Sequence, residues 1–380
     1  MNKTILVGFS ALILAITSFV KADMSISGYQ EFFAGSVNQS TATIGSGAVT
    51  DHGFDKSGLS NGTYSRITAN YSTTLDNGID VSGTYVVNAR DCSGNRDNNC
   101  NVVNFNSVAF SSTFGTIAIG EKFDAGAAML SRMTASGPMS EPDSGNMGHF
   151  YTAASADTFN FGSGNEQNYA DNAMKITYNS NVYSGFSLAV GYTPNMNDQG
   201  VSTARDAQAL SVQNQKVTQF SDVFSTYAKY EAEMDGVKLQ LVYGMQTGNA
   251  GELAAVNYAD LEETAYSARI DYGNFAADYR KNEAGDSGQI KNNNAGNDEG
   301  TSICAQYMMG NIGIGACQVE TNFTDVNNLD NNSTMRSYSA EYQLGGGAKI
   351  GLTYFDADQT ANNVTMTDAD GIVSRLAIGF

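Results

Sequence analysis

The sequence predicts an all-β fold, a 16-stranded antiparallel transmembrane β-barrel, and three observations predict it. The chain ends on a two-residue period: Phe380, Ile378, Leu376 and Ile372 share one face, and Gly379, Ala377, Arg375 and Val373 share the other. Upstream, alternating segments of about ten residues are joined by tight turns at one end and by long polar stretches at the other. The composition, 20 Tyr, 19 Phe and 40 Gly with only 3 Pro, is that of strands and turns.

Taken in order, the chain opens with Lys3, an apolar stretch from Ile5 to Val20 and the small-residue pattern Val20-Lys21-Ala22. Residues 1–22 are expected to be a cleaved signal peptide, because the stretch is shorter than the ~20 residues a spanning helix needs and carries Ser10, Thr17 and Ser18. The expected mature chain, residues 23–380, is a single barrel domain. Losing Lys3 and Lys21 takes the formal charge from −19 to about −21. That acidity excludes phosphate backbones as partners.

Seven short connections carry hairpin chemistry: Asp76-Asn77-Gly78, Phe114-Gly115, Ser184-Gly185, Asp235-Gly236, Gly273-Asn274, Gly310-Asn311 and Gly345-Gly346-Gly347. Seven hairpins with a first and a last strand left over make sixteen strands. They are expected near 24–37, 63–75, 78–90, 102–114, 115–123, 172–183, 185–194, 221–234, 236–247, 260–272, 274–283, 300–309, 312–321, 335–344, 348–357 and 371–380. Pro138, Pro142 and Pro194 stay out of the strand interiors, as barrel strands require.

A Lys or Arg facing lipid at mid-depth costs about 2–4 kcal/mol, so charges are expected to choose the lumen. Val237, Leu239, Leu241, Tyr243 and Met245 then face out while Lys238, Gln240 and Gln246 face in; Phe186, Leu188, Val190 and Tyr192, and Ile350, Leu352 and Tyr354, follow the same rule. The first and fourth strands alternate too poorly for their faces to be assigned. With no Trp, interfacial girdles fall to residues such as Tyr64, Tyr71, Tyr85, Tyr178, Tyr192, Tyr243, Tyr338, Tyr342 and Tyr354.

Four cysteines in an exported chain point to disulfides. A two-residue turn at Gly310-Asn311 puts Cys304 directly opposite Cys317, facing the lumen, with Met309 beside Ile312 and Tyr307 beside Ile314. Cys92 and Cys100 flank the polar stretch SGNRDNN and are expected to close it, free or interchain thiols being the other reading. His52 and His149 lie apart from the cysteines, and a zinc site lacks its usual ligands.

The longest interruption, about 124–171, follows the short strand Phe114-Gly115-Thr116-Ile117-Ala118-Ile119-Gly120. That strand, the opening SISGYQEFFAG, the LGGGA turn and the terminal Phe380, in this order, resemble the general diffusion porins of Gram-negative bacteria, of the alphaproteobacterial type. The resemblance implies short periplasmic turns, long extracellular loops, and a third loop folded into the barrel as a constriction. Carried over by position, the constriction carboxylates are Asp124, Glu141, Asp143, Asp157 and Glu166, and the wall bases are Arg66, Arg90, Lys122 and Arg375; ordinary solvated loop charge is the other reading of each carboxylate. It also implies an outer-membrane location, a homotrimer packed through the early and late strands, contact with outer-membrane lipid and lipopolysaccharide, and assembly-machinery recognition of the closing strand with Phe380, Ile378 and Leu376.

The expected function is passive diffusion of small hydrophilic solutes and ions with a preference for cations, since opposed charges across a narrow wet aperture pass polar molecules and bar apolar ones. A solute-specific porin, with eighteen strands if 195–220 hides two, and a structural or adhesive barrel without an open pore remain as alternatives. Neither histidine sits in a nucleophilic motif, so no enzyme activity is expected. No cofactor is needed; Asp222, Asp260, Glu262, Glu263, Asp368 and Asp370 are candidates for surface calcium, solvated charge being the other reading. Tyr227, alone among inward aromatics near Lys229, Glu231 and Glu233, reads as wall packing.

Overall fold

The computed structural model describes residues 23–45, 48–51, 58–90, 103–122, 124–126, 129–130, 150, 173–196, 212–213, 216–217, 220–250, 252–253, 256–291, 296–324, 330–361 and 364–380. Sixteen long strands run through them: β1 (Asp23–Gly45), β2 (Gly58–Thr74), β3 (Asp80–Arg90), β4 (Val103–Ser112), β5 (Gly115–Glu121), β6 (Met174–Asn179), β7 (Phe186–Asn195), β8 (Ser221–Met234), β9 (Val237–Asn249), β10 (Leu261–Tyr272), β11 (Phe275–Gly285), β12 (Gly296–Met309), β13 (Ile312–Thr324), β14 (Asp330–Gly345), β15 (Ala348–Ala361) and β16 (Val364–Gly379). Each pairs antiparallel with the next, and β1 pairs with both β2 and β16, so the sheet closes on itself. Because β7 pairs directly with β8, no further strand enters the wall between them, and the eighteen-strand alternative fails.

All seven tight turns form where their sequences place them. At Ser184-Gly185 and Asp235-Gly236 both residues have positive φ, 50° and 85° in the first and 51° and 79° in the second. That is the primed-turn geometry whose twist matches paired strands. At the opposite end β1, β2, β12, β14 and β16 run several residues beyond the expected limits. These extensions are mostly polar, as in Asp330-Asn331-Asn332-Ser333-Thr334, and their backbones stay paired beyond the segments where apolar and polar residues alternate. There Ala48–Asp51 extends the far end of β1 alone, and two small hairpins, 212–213 with 216–217 and 252–253 with 256–257, stand apart from the barrel sheet.

Closure is a backbone event. The Gly28 amide donates to the Phe380 carbonyl and the Phe380 amide to the Gly28 carbonyl, each at 2.9 Å. A Cβ at Gly28 would lie 2.6 Å from the Phe380 ring, so a side chain there would disturb the seam. Leu376, Ile378 and Phe380 all point outward, Phe380 most of all at 68 % exposed.

Face parity holds through the middle of the barrel. Phe186, Leu188, Val190, Leu241, Tyr243, Met245, Ile350, Leu352 and Tyr354 face outward, while Ser187, Gln246 and Thr353 are buried inside. The faces of β1 and β4 now resolve. Phe32 projects outward between buried Glu31 and Phe33, and Phe105 faces in, paired with buried Val86.

Two expectations are corrected. Tyr64 leaves the proposed girdle: its ring lies inside, 5.6 Å from Tyr29 and packed against a lumen cluster, because β2 turns its even residues inward. Charges also break the parity rule at the extracellular end. Lys281 and Arg336 share the outward face of Tyr279 and Tyr338, one outward position further from the periplasmic turns. Lys281 pairs with Glu283 at 2.5 Å and Glu299 at 3.0 Å, and Arg336 with Asp356 at 3.2 Å. Above the tyrosine level these positions meet head groups and water, where charge costs little.

Cys304 and Cys317 are register partners in β12 and β13 and form a disulfide with a Cα separation of 4.2 Å, both side chains inside. Met309–Ile312, Tyr307–Ile314 and Ala305–Ala316 pair in the same register. Cys92 and Cys100 lie outside the described residues. The bond closes a short loop whose unfolded-chain entropy is worth about 3 kcal/mol. Replacing Cys304 and Cys317 together with Ser should therefore lower the temperature at which the folded band disappears from unboiled gels, and reductant should shift the native protein the same way.

Candidate functional site: the pore constriction

The site is built where the connection after β5 meets the inner wall. Lys122 leaves the strand and donates from Nζ to Thr177 Oγ1 at 3.0 Å. Burial holds its ammonium below the ordinary lysine value, partly offset by the nearby Asp124 carboxylate. Lys175, which sequence reasoning missed, is 1 % exposed and donates to the carbonyls of Lys122 and of Ala173, the latter at 2.7 Å. A buried ammonium is tolerable there because backbone oxygens replace its water.

Asp124 then plugs into the wall formed by β7, β8 and β9. Its Oδ1 accepts from Ser225 Oγ at 2.7 Å and its Oδ2 from Gln246 Nε2 at 2.9 Å, with the Gly126 amide donating at 3.3 Å. Only 2 % of Asp124 is exposed. A carboxylate so enclosed holds the loop and presents no face to a passing solute. Two glycines make the fit possible: a Cβ at Gly126 would lie 1.7 Å from the Tyr227 ring, and one at Gly244 would lie 1.9 Å from it. Tyr227 is thus wall packing, gripped between the loop and β9. Ala125, Met129 and Leu130 continue onto Ala189, Val242 and Ala265, and Gln240 Nε2 donates to the Met129 carbonyl at 3.2 Å.

The same connection touches the far side of the bore. Phe150, fully buried, belongs to one apolar cluster with Phe33 and Val37 of β1, Val319 of β13, Met335 of β14, Phe355 of β15 and Val373 of β16. The apolar residues of this inward face are buried together with Phe150 in that cluster, so water does not select against them.

Toward the periplasmic turns the wall bases are committed to wall carboxylates. Arg375 reaches Glu31 at 3.2 Å and Glu341 at 2.6 Å, and Lys349 reaches Glu341 at 3.3 Å. Lys229 pairs with Glu231 at 3.1 Å and Arg269 with Asp271 at 2.7 Å. Arg66 faces inward with its guanidinium carbon 5.4 Å from the Phe105 ring centre. Arg90 pairs in register with Tyr64, its side chain lying outside the described ones, as do Glu141, Asp143, Asp157, Glu166, His52 and His149. Of the calcium candidates, Asp222 accepts from Tyr192 and Asn249, Asp260 pairs with Lys291, Glu263 is buried in the lumen beside Asn282, and Asp368 and Asp370 stand in register with Asp358 and Asp356. Among the described residues no three carboxylate, histidine or cysteine groups converge as metal ligands.

A sealed barrel with a connection fastened inside it agrees with the family model described as Gram-negative porin, which matches residues 8–362. The chain belongs to the Gram-negative porin family. No curated protein matches this porin in sequence. Its fold is shared with the outer membrane channel DcaP of Acinetobacter baumannii, at 11% identity and a TM-score of 0.61 over 96% of this chain and 99% of that one. It is shared also with in-vitro folded OmpT, an outer membrane protein of Vibrio cholerae in trimer form, at 11% identity and a TM-score of 0.59 over 94% and 99%. A mutant of the Rh. blastica porin matches at 15% identity and a TM-score of 0.53 over 94% and 100%. The porin is therefore a multi-pass barrel of the Gram-negative outer membrane.

The Arg375 network is open to a direct test. Arg375→Gln should cost roughly 2 kcal/mol of barrel stability by removing charge-assisted hydrogen bonds to Glu31 and Glu341. It should also make the wall more negative and move the reversal potential in a salt gradient toward cations. An unchanged reversal potential would show that this cluster lies outside the conducting path.

Proposed function

We propose that this outer-membrane porin is a general, passive diffusion channel for small hydrophilic solutes and ions, with a preference for cations. The observation that carries the charge preference is pairing within the wall. Arg375, Lys349, Lys229 and Arg269 are each held by neighbouring carboxylates, in a chain with 39 acidic and 20 basic side chains. The uncompensated charge is acidic, and a low-dielectric wall focuses it. General diffusion is favoured over one preferred solute because the aromatic side chains Phe33, Phe355 and Tyr227 are buried under the connection rather than offered to the bore.

The same reading takes the porin as a homotrimer. The outer face of β1 and β2 carries Gln30 beside Ser65 and Ala34 beside Asn61, with Ser36 nearby, positions that lipid would fill with larger apolar side chains. A neighbouring subunit accommodates such a surface better than acyl chains do. The OmpT of Vibrio cholerae is described in a trimer form, which supports the reading. Lipid, lipopolysaccharide and the barrel assembly machinery are its remaining partners, export by a leader ending at Ala22 precedes them, and neither a cofactor nor catalysis is part of it.

Purified protein in a planar bilayer should give conductance steps that rise in proportion to salt, with a cation-selective reversal potential. Correctly folded protein that leaves the bilayer silent would sink the channel reading in favour of a structural or adhesive barrel. Ala34→Arg should convert unboiled trimers to monomers on a gel; persistence of trimers would place the interface on another face.

A further inference from the structure

The inner wall of β1 to β4 carries one base that the ion pairs of the wall leave out. Tyr29 of β1, Arg66 of β2 and Asn88 of β3 stand in one register row, and Glu31 and Tyr64 stand in the next. Arg66 is only partly buried and lies against Phe105 of β4, its guanidinium carbon 5.4 Å from the ring centre. The Tyr29 and Tyr64 rings sit 5.6 Å apart, tilted by 41°, and Tyr64 is backed by the apolar lumen cluster.

Charge sets this row apart. Close by, Arg375 and Lys349 are answered by Glu31 and Glu341, and Lys122 and Lys175 by Thr177 and backbone carbonyls. Among the described basic side chains, Arg66 alone makes neither an ion pair nor a hydrogen bond. Glu31 in the next row is already held by Arg375 at 3.2 Å. Asn88, on the other side of Arg66, leaves its buried Oδ1 without a hydrogen-bond partner. Arg66, Arg375 and Lys349 against Glu31 and Glu341 leave the patch with one positive charge, in a chain that is acidic overall.

We propose that Arg66, with Tyr29 and Tyr64, forms a weak solute subsite in the bore for small carboxylates that carry a ring, such as aromatic or sugar acids. The proposal rests on the channel reading for the passage of the solute, though not for its binding. Phe105 fixes the plane of the guanidinium and covers one face, which leaves the N–H edge for the two oxygens of a carboxylate. The tyrosine pair beside that edge offers an apolar face and hydroxyls to the ring. A ring without an acid group lacks the guanidinium contact, and an acid without a ring lacks the face, so the site selects on both. Arg66, Tyr29 and Tyr64 keep part of their surface in water, which keeps binding weak and lets the solute leave. Such a subsite adds a preference to general diffusion without closing the channel to other solutes.

The test measures binding to the full-length, detergent-solubilised porin by saturation-transfer NMR, with benzoate, glucuronate, acetate and glucose as probes. A ring acid should bind several-fold more tightly than acetate or glucose. Arg66→Gln should weaken ring-acid binding roughly tenfold. Because Arg66 has no ion pair to lose, this variant should still run as the native folded band on unboiled gels. Arg66→Lys should recover only part of the affinity, since an ammonium keeps the charge but not the fork. Tyr29→Leu should bring the ring acid down to the level of acetate and leave acetate unchanged. Loss confined to benzoate assigns the subsite to aromatic acids, and loss confined to glucuronate assigns it to sugar acids. Native binding by Arg66→Gln, or equal binding of acetate and both ring acids to the native porin, overturns the proposal.

Current gives the second readout. In a planar bilayer the ring acid should interrupt single-channel current in native porin, and far less often in Arg66→Gln. Binding in detergent with a silent bilayer keeps the subsite and removes the channel reading. A conducting porin that binds neither ring acid keeps the channel and overturns the subsite.

Discussion

Everything in this molecule depends on one constraint: in hydrocarbon, a backbone amide or carbonyl without a partner costs several kcal/mol, so a sheet that crosses a membrane must have no edge. The pairing of β16 with β1 meets that constraint, and the reciprocal bonds between Gly28 and Phe380 complete it at the periplasmic end. Once the ring is closed, the alternation of each strand has only one solution. Residues such as Leu352 and Leu241 face acyl chains, and their neighbours Thr353 and Val242 face the interior.

The interior then divides by what covers it. Where the connection after β5 lies against the wall, the barrel behaves like a folded core: Val242 and Ala265 share one buried cluster with Met129 and Leu130, and Phe355 and Met335 share another with Phe150. Where the wall is open toward the periplasm, it carries charge, and the charges are arranged in pairs. A buried carboxylate such as Asp124 is possible only because Ser225, Gln246 and the Gly126 amide replace its water. The partly exposed pair of Arg375 with Glu341 keeps enough solvent to need less help.

These two regimes hold the described ends of the connection against the inner wall without a second domain. The connection borrows packing from one wall and hydrogen bonds from the other, and the barrel supplies the rigidity.

The sequence by itself determined the barrel: sixteen strands, seven turns, the closing strand, and the register that brings Cys304 to Cys317 were all legible, because a two-residue period and glycine turn chemistry are local and a hairpin turn dictates its own pairing. The extensions of β14 and β16 were not legible, since backbone pairing continues there without the clear alternation of apolar and polar residues that marks the closing strand. Tertiary structure alone decided the site. Asp124 could be named as a loop carboxylate, but not as an anchor, because its donors Ser225 and Gln246 are 101 and 122 residues away in sequence. Arg375 could be placed on the wall, but not between Glu31 and Glu341, until β1, β14 and β16 were brought round the ring. Phe150 carries no local signal at all; its role exists only because closure sets five strands from the two ends of the chain side by side, and burial depends on what is near in space.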